Sequence, residues 1–98
     1  MGKRKITILE SAAVAIAEAS WFIESKGLPR TAKQFVDAAF LFFETLNDTS
    51  KLHRPCTYTK WKLLGYRCVN FKRKYVVAYM ATEKEIIICE FVAARLLH

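Results

Sequence analysis

Residues 61–92 read WKLLGYRCVNFKRKYVVAYMATEKEIIICEFV, and the fold is decided there. From Tyr75 to Met80 (Tyr-Val-Val-Ala-Tyr-Met) and again from Ile86 to Val92, β-branched and aromatic residues dominate and the apolar pattern has a period of two. Tyr75, Val77 and Tyr79 therefore share one face. A further strand is predicted over Trp61–Phe71, bent at Gly65. Lys72-Arg73 and Thr82–Glu85 are the turns between these runs. Connections this short join strands that run antiparallel, so the segment reads as a three-stranded meander.

Upstream of the meander the period changes. Asn47–Lys60 is polar, contains Pro55 and reads as a long loop. Before it, Ala32, Phe35, Ala39, Phe42 and Leu46 recur at helical spacing, with Thr31 as the expected cap. Ala12, Ile16, Ala19 and Ile23 do the same in an earlier helix, with Ser11 as its expected cap and Gly27 as its stop. The break at Leu28-Pro29-Arg30 is short enough to make the two helices an antiparallel hairpin. Phe40, Leu41 and Phe43 widen the apolar surface of the second helix, and burial against a sheet is the expected fate of that surface. Lys5–Leu9 (Lys-Ile-Thr-Ile-Leu) reads as a first strand. The expected architecture is α+β, in the order β-α-α-β-β-β: a helical hairpin packed on a small twisted antiparallel sheet, with residues 1–98 forming one domain.

Composition narrows the function. The chain has 98 residues, 53% hydrophobic and 26% charged, with three Gly and two Pro. That is enough apolar surface for one folded core and argues against disorder. No run of apolar residues is long enough to span a membrane. The basic start resembles a secretory signal, but Glu10 and Glu18 interrupt its apolar region, so a cytoplasmic location is expected. Cys56, Cys68 and Cys89 are odd in number and widely spaced, which suits reduced thiols and offers no zinc-ligand pattern. The formal net charge is +7, and it is concentrated. Residues 51–74 hold eight basic and no acidic residues, whereas the remainder holds eight basic and nine acidic. A polyanionic partner is the natural counterpart, either nucleic acid or an acidic protein segment.

The ordered set of elements, with Ser11-Ala12, Phe22-Ile23, Ala32…Phe35, Leu46, Gly65-Tyr66-Arg67, the Phe71–Tyr79 hairpin and Ile86-Ile87-Ile88 leading to Arg95, resembles the RelE/ParE toxins of type II toxin–antitoxin systems. The resemblance covers nearly the whole chain. It implies a cognate antitoxin and a role such as plasmid stabilisation. It also implies a macromolecular target, with no cofactor, no metal, no membrane and no small-molecule substrate. RelE-like members are ribosome-dependent, metal-independent endoribonucleases on messenger RNA that use arginines to stabilise phosphorane charge and a late Tyr or His for proton transfer. In their pattern, an arginine directly follows the tyrosine of the middle meander strand. Here Val76 follows Tyr75, as in the ParE branch, whose members poison DNA gyrase without catalysis.

The resemblance thus favours ParE-like gyrase inhibition. The alternatives are a RelE-like nuclease, in which Arg95 and His98 would be the catalytic residues, and a degenerate member that only binds. Candidate target-binding residues are Arg67, Lys72, Arg73 and Arg95. Candidate antitoxin-binding residues are Phe35, Phe42, Phe43 and Tyr79. An acidic amphipathic segment of the antitoxin would cover the apolar hairpin and neutralise the basic sheet face. Trp61 and Tyr79 are expected to be core or covered aromatics, although the neighbouring Lys60, Lys62 and Lys74 would permit base stacking. A plain RNA-binding module is disfavoured, because the common aromatic-sheet RNA binder alternates its helices with its strands. Without a nucleotide-binding glycine loop or a nucleophile–base motif, a conventional metabolic enzyme is disfavoured too.

Overall fold

The computed structural model describes residues 4–47 and 53–97. Among them the elements run β1 (Lys5–Ile8), α1 (Glu10–Ser25), α2 (Pro29–Thr45), α3 (Thr59–Leu63), β2 (Arg67–Phe71), β3 (Tyr75–Ala81) and β4 (Glu85–Ala93), closed by a 3-10 turn at Ala94–Leu96. The strand order is β1-β4-β3-β2. The meander is present, since β2 pairs antiparallel with β3 and β3 with β4. The sheet as a whole is mixed rather than antiparallel, because β1 lies parallel to β4, with Ile6 opposite Ile86 and Ile8 opposite Ile88. The helical hairpin supplies the long crossover that a parallel neighbour requires.

β4 contains a bulge. Ala78 faces Glu90 while Tyr79 faces Ile88, so Cys89 has no opposite number on β3. The extra residue shifts the alternation, so that Ile86, Ile88 and Phe91 all join the core beneath the helices. The bulge also leaves the Cys89 carbonyl to accept a hydrogen bond from the Ser11 hydroxyl, at 2.8 Å. Ser11 is therefore a tie between α1 and β4 and not the expected cap, a position held by Leu9. Thr31 is not a cap either. α2 begins at Pro29, whose missing N–H is no loss in the first turn of a helix.

The expected strand over Trp61–Phe71 is corrected to a short helix followed by a five-residue strand. Gly65, at φ 76°, ends α3: its N–H donates to the Lys62 carbonyl at 3.1 Å and that of Tyr66 to the Trp61 carbonyl at 3.0 Å. These two bonds make a Schellman stop, and they override the strand-like composition of the segment.

Two apolar clusters lie on opposite faces of the sheet. The larger joins Ala12 and Ile16 of α1 and Phe35, Ala39 and Phe43 of α2 to Val77, Tyr79, Ile86, Ile88 and Phe91. Fully burying a side chain such as Phe43 contributes about 1.5–3 kcal/mol. The smaller cluster packs Cys56 and Trp61 over Val76 and Ala78. The expectation of reduced thiols is corrected for two of the three cysteines. Cys56 and Cys68 form a disulfide with a Cα–Cα distance of 4.8 Å, and Cys89 is free and buried. Residues 54–56 run antiparallel along the outer edge of β2, the Cys56 N–H donating to Tyr66 and the Cys68 N–H to Arg54, and this brings the two sulfurs together. No helix among the described residues is long and apolar enough to cross a membrane.

Arg4 stitches three elements. Its Nε donates to Asn47 Oδ1 at 3.3 Å, its Nη2 to the carbonyls of Leu46 and Asn47 at 3.4 and 3.2 Å, and its Nη1 to the Thr82 carbonyl at 3.3 Å. Asn47 Nδ2 donates back to the Arg4 carbonyl at 2.9 Å. A cation thus sits on the carbonyls left over at the end of α2 and ties them to the β3–β4 turn. Replacing Arg4 with Ala is expected to lower stability by about 1–3 kcal/mol in urea denaturation, because several carbonyls lose their donor. Arg4→Lys is expected to restore only part, since one ammonium lacks the planar fork that reaches three carbonyls.

Candidate functional site

Three basic residues of the meander, Lys72, Arg73 and Lys74, gather at one end of the sheet. Phe71 and Tyr75 are cross-strand partners, so Lys72, Arg73 and Lys74 form the loop between β2 and β3. The Lys74 N–H donates to the Phe71 carbonyl at 3.3 Å, closing a turn whose central residues Lys72 and Arg73 have φ of 54° and 62°. Positive φ at both central positions is the requirement of a type I′ turn, which Asn-Gly meets with least strain. Two long cationic side chains stand here instead, at a conformational cost, with the Lys72 ammonium lying 5.8 Å from the centroid of the Phe71 ring. All three tip residues are exposed.

Beside this tip lies an open groove of about 570 Å³. Its floor is apolar, built from Ala15, Ala19 and Phe22 of α1 and from Tyr75 and Phe91 of the sheet. Arg73, Lys74 and Arg95 stand on its rim, with Glu18 on the α1 side. The 3-10 turn brings Arg95 here: the Ala94 N–H donates to the Lys74 carbonyl at 2.8 Å, joining the end of β4 to the hairpin loop. The groove combines cations with apolar surface, which suits an acidic amphipathic protein surface or a polyanion.

The other candidates are distributed differently. Arg67 lies at the far end of the β2–β3 ladder opposite Tyr79, four residues from Phe71 or about 13 Å along the strand. It does not join the tip cluster. Its Nη1 donates to the His53 carbonyl at 2.7 Å, so it anchors the chain leading into the smaller apolar cluster. Phe35, Phe43 and Tyr79 are buried in the main core, which removes them from the exposed surface. Phe35 packs edge-on against Phe71 and Phe91, at 6.0 and 6.1 Å between ring centroids. Phe42 is partly buried against Phe71, at 5.2 Å. Trp61 and Tyr79 are both buried, as expected for core aromatics. The apolar side chains on the open surface of the helical hairpin include Trp21, Phe22, Phe40 and Leu41, with Trp21 73% exposed. His98 lies outside the described residues.

Sequence reasoning missed the disulfide, the role of Arg4 and the place of Lys74 on the rim. The last was legible in principle, because a Lys-Arg-Lys tip stands where a tight hairpin favours Asn-Gly. Burial raises the phenol pKa of Tyr79, and the Arg67 guanidinium opposes the shift. Burial also raises that of Tyr66, helped by the neighbouring Cys89 thiol. Among the described residues, no three of His, Cys, Asp and Glu lie close enough together to hold a metal ion.

No protein-family model matches the sequence, and no curated protein matches it significantly. The fold does match a solved structure. A chain of the chromosomal ParDE TA system from P. aeruginosa superimposes with a TM-score of 0.75 at 16% identity, over 93% of this chain and 96% of that one. The chain therefore shares the fold of that chain, and the expected α+β arrangement stands with the corrections above.

Two expected outcomes follow from the geometry. Lys72→Asn combined with Arg73→Gly relieves the turn and is expected to raise stability by about 1–2 kcal/mol in thermal or urea unfolding. In alkaline titration followed by phenolate absorbance, Tyr66 and Tyr79 are expected to ionise above their ordinary value of 10.0. Both folded-state values are raised, so the stability gained by keeping these phenols neutral is complete below about pH 10 and declines as pH rises through the folded values. Tyr79→Phe is expected to flatten that decline.

Proposed function

We propose that this chain is a ParE-like toxin of a type II toxin–antitoxin pair, acting in the cytoplasm by binding DNA gyrase and neutralised by a cognate antitoxin. The observation that carries this reading is the environment of position 76. A RelE-like nuclease uses an arginine directly after the tyrosine of the middle meander strand. Here that residue is Val76, 3% exposed in the cluster that also buries Trp61 and Cys56. The residue lacks the charge that phosphorane stabilisation needs, whether or not its face is covered. A ParE-type fold without an arginine at this position suits inhibition by contact rather than by catalysis. The likeness to a ParDE chain supports the same branch and supports an antitoxin as partner.

In this reading the target-binding cations are Lys72, Arg73 and Arg95 at the hairpin tip and groove, with Lys74 added to them. Arg67 serves the target only indirectly, through the segment that it anchors at His53. The antitoxin surface shifts from the buried Phe35, Phe43 and Tyr79 to partly buried Phe42 and the exposed Trp21, Phe22, Phe40 and Leu41. An acidic amphipathic segment would cover these apolar residues and meet the basic rim.

Induction of the chain alone in a bacterium tests the reading. The expected result is double-strand breaks and an SOS response with intact messages. Cleavage of translated messages with intact DNA would transfer the function to the RelE-like alternative, with Arg95 and His98 as its catalytic residues. Normal growth with neither lesion would identify a member that binds without toxicity. Charge reversal by Arg73→Glu with Arg95→Glu is expected to abolish growth arrest while leaving thermal stability nearly unchanged, since both side chains are exposed.

A further inference from the structure

The segment that covers the second face of the sheet is held by a bond that a reductant can open. Residues 54–56 lie along the outer edge of β2, and the Cys56–Cys68 disulfide fastens them there across a sequence separation of 12. The noncovalent fastening includes the two edge hydrogen bonds, the Arg67–His53 contact, His53 edge-on to Tyr79, and a small cluster with four buried members, Cys56, Trp61, Val76 and Ala78.

The two sulfurs are unequally accessible. Cys56 is 2% exposed, whereas Cys68 is partly exposed and lines a polar groove of about 390 Å³ with His53, Arg54 and Asn70. The groove therefore brings solvent to Cys68, beside an arginine that attracts thiolates. The third cysteine stays out of exchange. Cys89 is buried in the β4 bulge, and burial pushes its thiol pKa up, so it remains a protonated and poor nucleophile. In a reducing compartment a disulfide is characteristically transient and redox-sensing rather than a permanent staple.

We propose that Cys56–Cys68 is a redox-modification site, a clasp whose reduction by a dithiol releases residues 53–66 from the second face of the sheet. A thiolate of the reductant attacks Sγ of Cys68. The S–S bond breaks, Cys56 leaves as a thiolate and takes a proton from water, and a mixed disulfide forms on Cys68. The second thiol of the reductant resolves that intermediate, leaving Cys68 as a thiol and the reductant as a disulfide. Two electrons pass from the dithiol to the protein. The oxidised chain keeps Val76, Ala78 and the outer edge of β2 covered, and the reduced chain exposes them. The helical hairpin and the main core lie on the opposite face, and the main core loses the contact of His53 with Tyr79 at its margin. The relevance of a reducing compartment rests on the proposed cytoplasmic function, but the opening itself belongs to the isolated chain and is measured without any target.

The test uses the purified full-length chain carrying Trp21→Phe, which leaves Trp61 as the single tryptophan. Alkylation under denaturing conditions is expected to find one free thiol before treatment with dithiothreitol and three after it. On reduction, Trp61 emission is expected to shift to the red and become more quenchable. Exchange at the Cys56 and Cys68 amides is expected to accelerate by roughly tenfold or more while that of β3 and β4 stays slow. A Cys56→Ser, Cys68→Ser variant is expected to behave as the reduced chain with or without dithiothreitol. Three free thiols in the aerobically purified chain would overturn the proposal. So would an unchanged Trp61 after reduction, or acceleration of all amides together, which would mark the bond as a staple of the whole fold. These outcomes stand apart from the gyrase reading, because none of them depends on toxicity.

Discussion

Strand β4 is the constraint on which the rest of the molecule depends. It is hydrogen-bonded on both sides, to β3 in antiparallel register and to β1 in parallel register. It therefore joins the first element of the chain to the last, and the long crossover through α1 and α2 exists to make that possible. Ile86 and Ile88 are completely buried beneath the helices, and the bulge at Cys89 turns Phe91 to the same side. The bulge then fixes α1 through the Ser11 hydroxyl on the Cys89 carbonyl. At its C-terminal end, β4 runs into the turn that sets Arg95 beside the hairpin tip. Core, helix placement and candidate site all derive from the register of this one strand.

Much of the fold was legible because the period of the apolar residues is local information. The helical stripes of α1 and α2 and the alternation of β3 each follow from residues within one element. What escaped was nonlocal. The parallel pairing of β1 depends on residues about eighty positions away, and the alternation of β4 hides its bulge because Ile-Ile-Ile-Cys-Glu-Phe is apolar on both sides of the irregularity. The Cys56–Cys68 bond depends on residues 54–56 lying along the edge of β2, which a spacing of 12 does not announce. Trp61 misled because tryptophan suits strands, whereas the Schellman stop at Gly65 makes the stretch a helix end.

The site divides in the same way. Arg73 and Arg95 line one groove and Lys72 shares a turn with Arg73, because two of the three lie in the hairpin loop and the third follows the last strand. Arg67 and the aromatics of α2 do not belong with them, and in each case the sheet register or the core has already claimed the side chain. The molecule gives up stability in one place where a simpler choice was available. Lys72 and Arg73 adopt backbone angles that suit Asn-Gly, so charge at the tip is kept against the preference of the chain. On the far face the opposite holds: Val76 and Ala78 are covered and uncharged. One end of the sheet thus presents exposed cations, while the far face is covered and uncharged.

The proposal that the chain acts by contact on gyrase is tested most directly with purified components. Purified chain would be added to DNA gyrase with relaxed plasmid and ATP, and in parallel to translating ribosomes with a defined message. The account predicts loss of supercoiling and accumulation of gyrase-linked cleaved plasmid, with the message intact. A cleaved message with undisturbed supercoiling would contradict it.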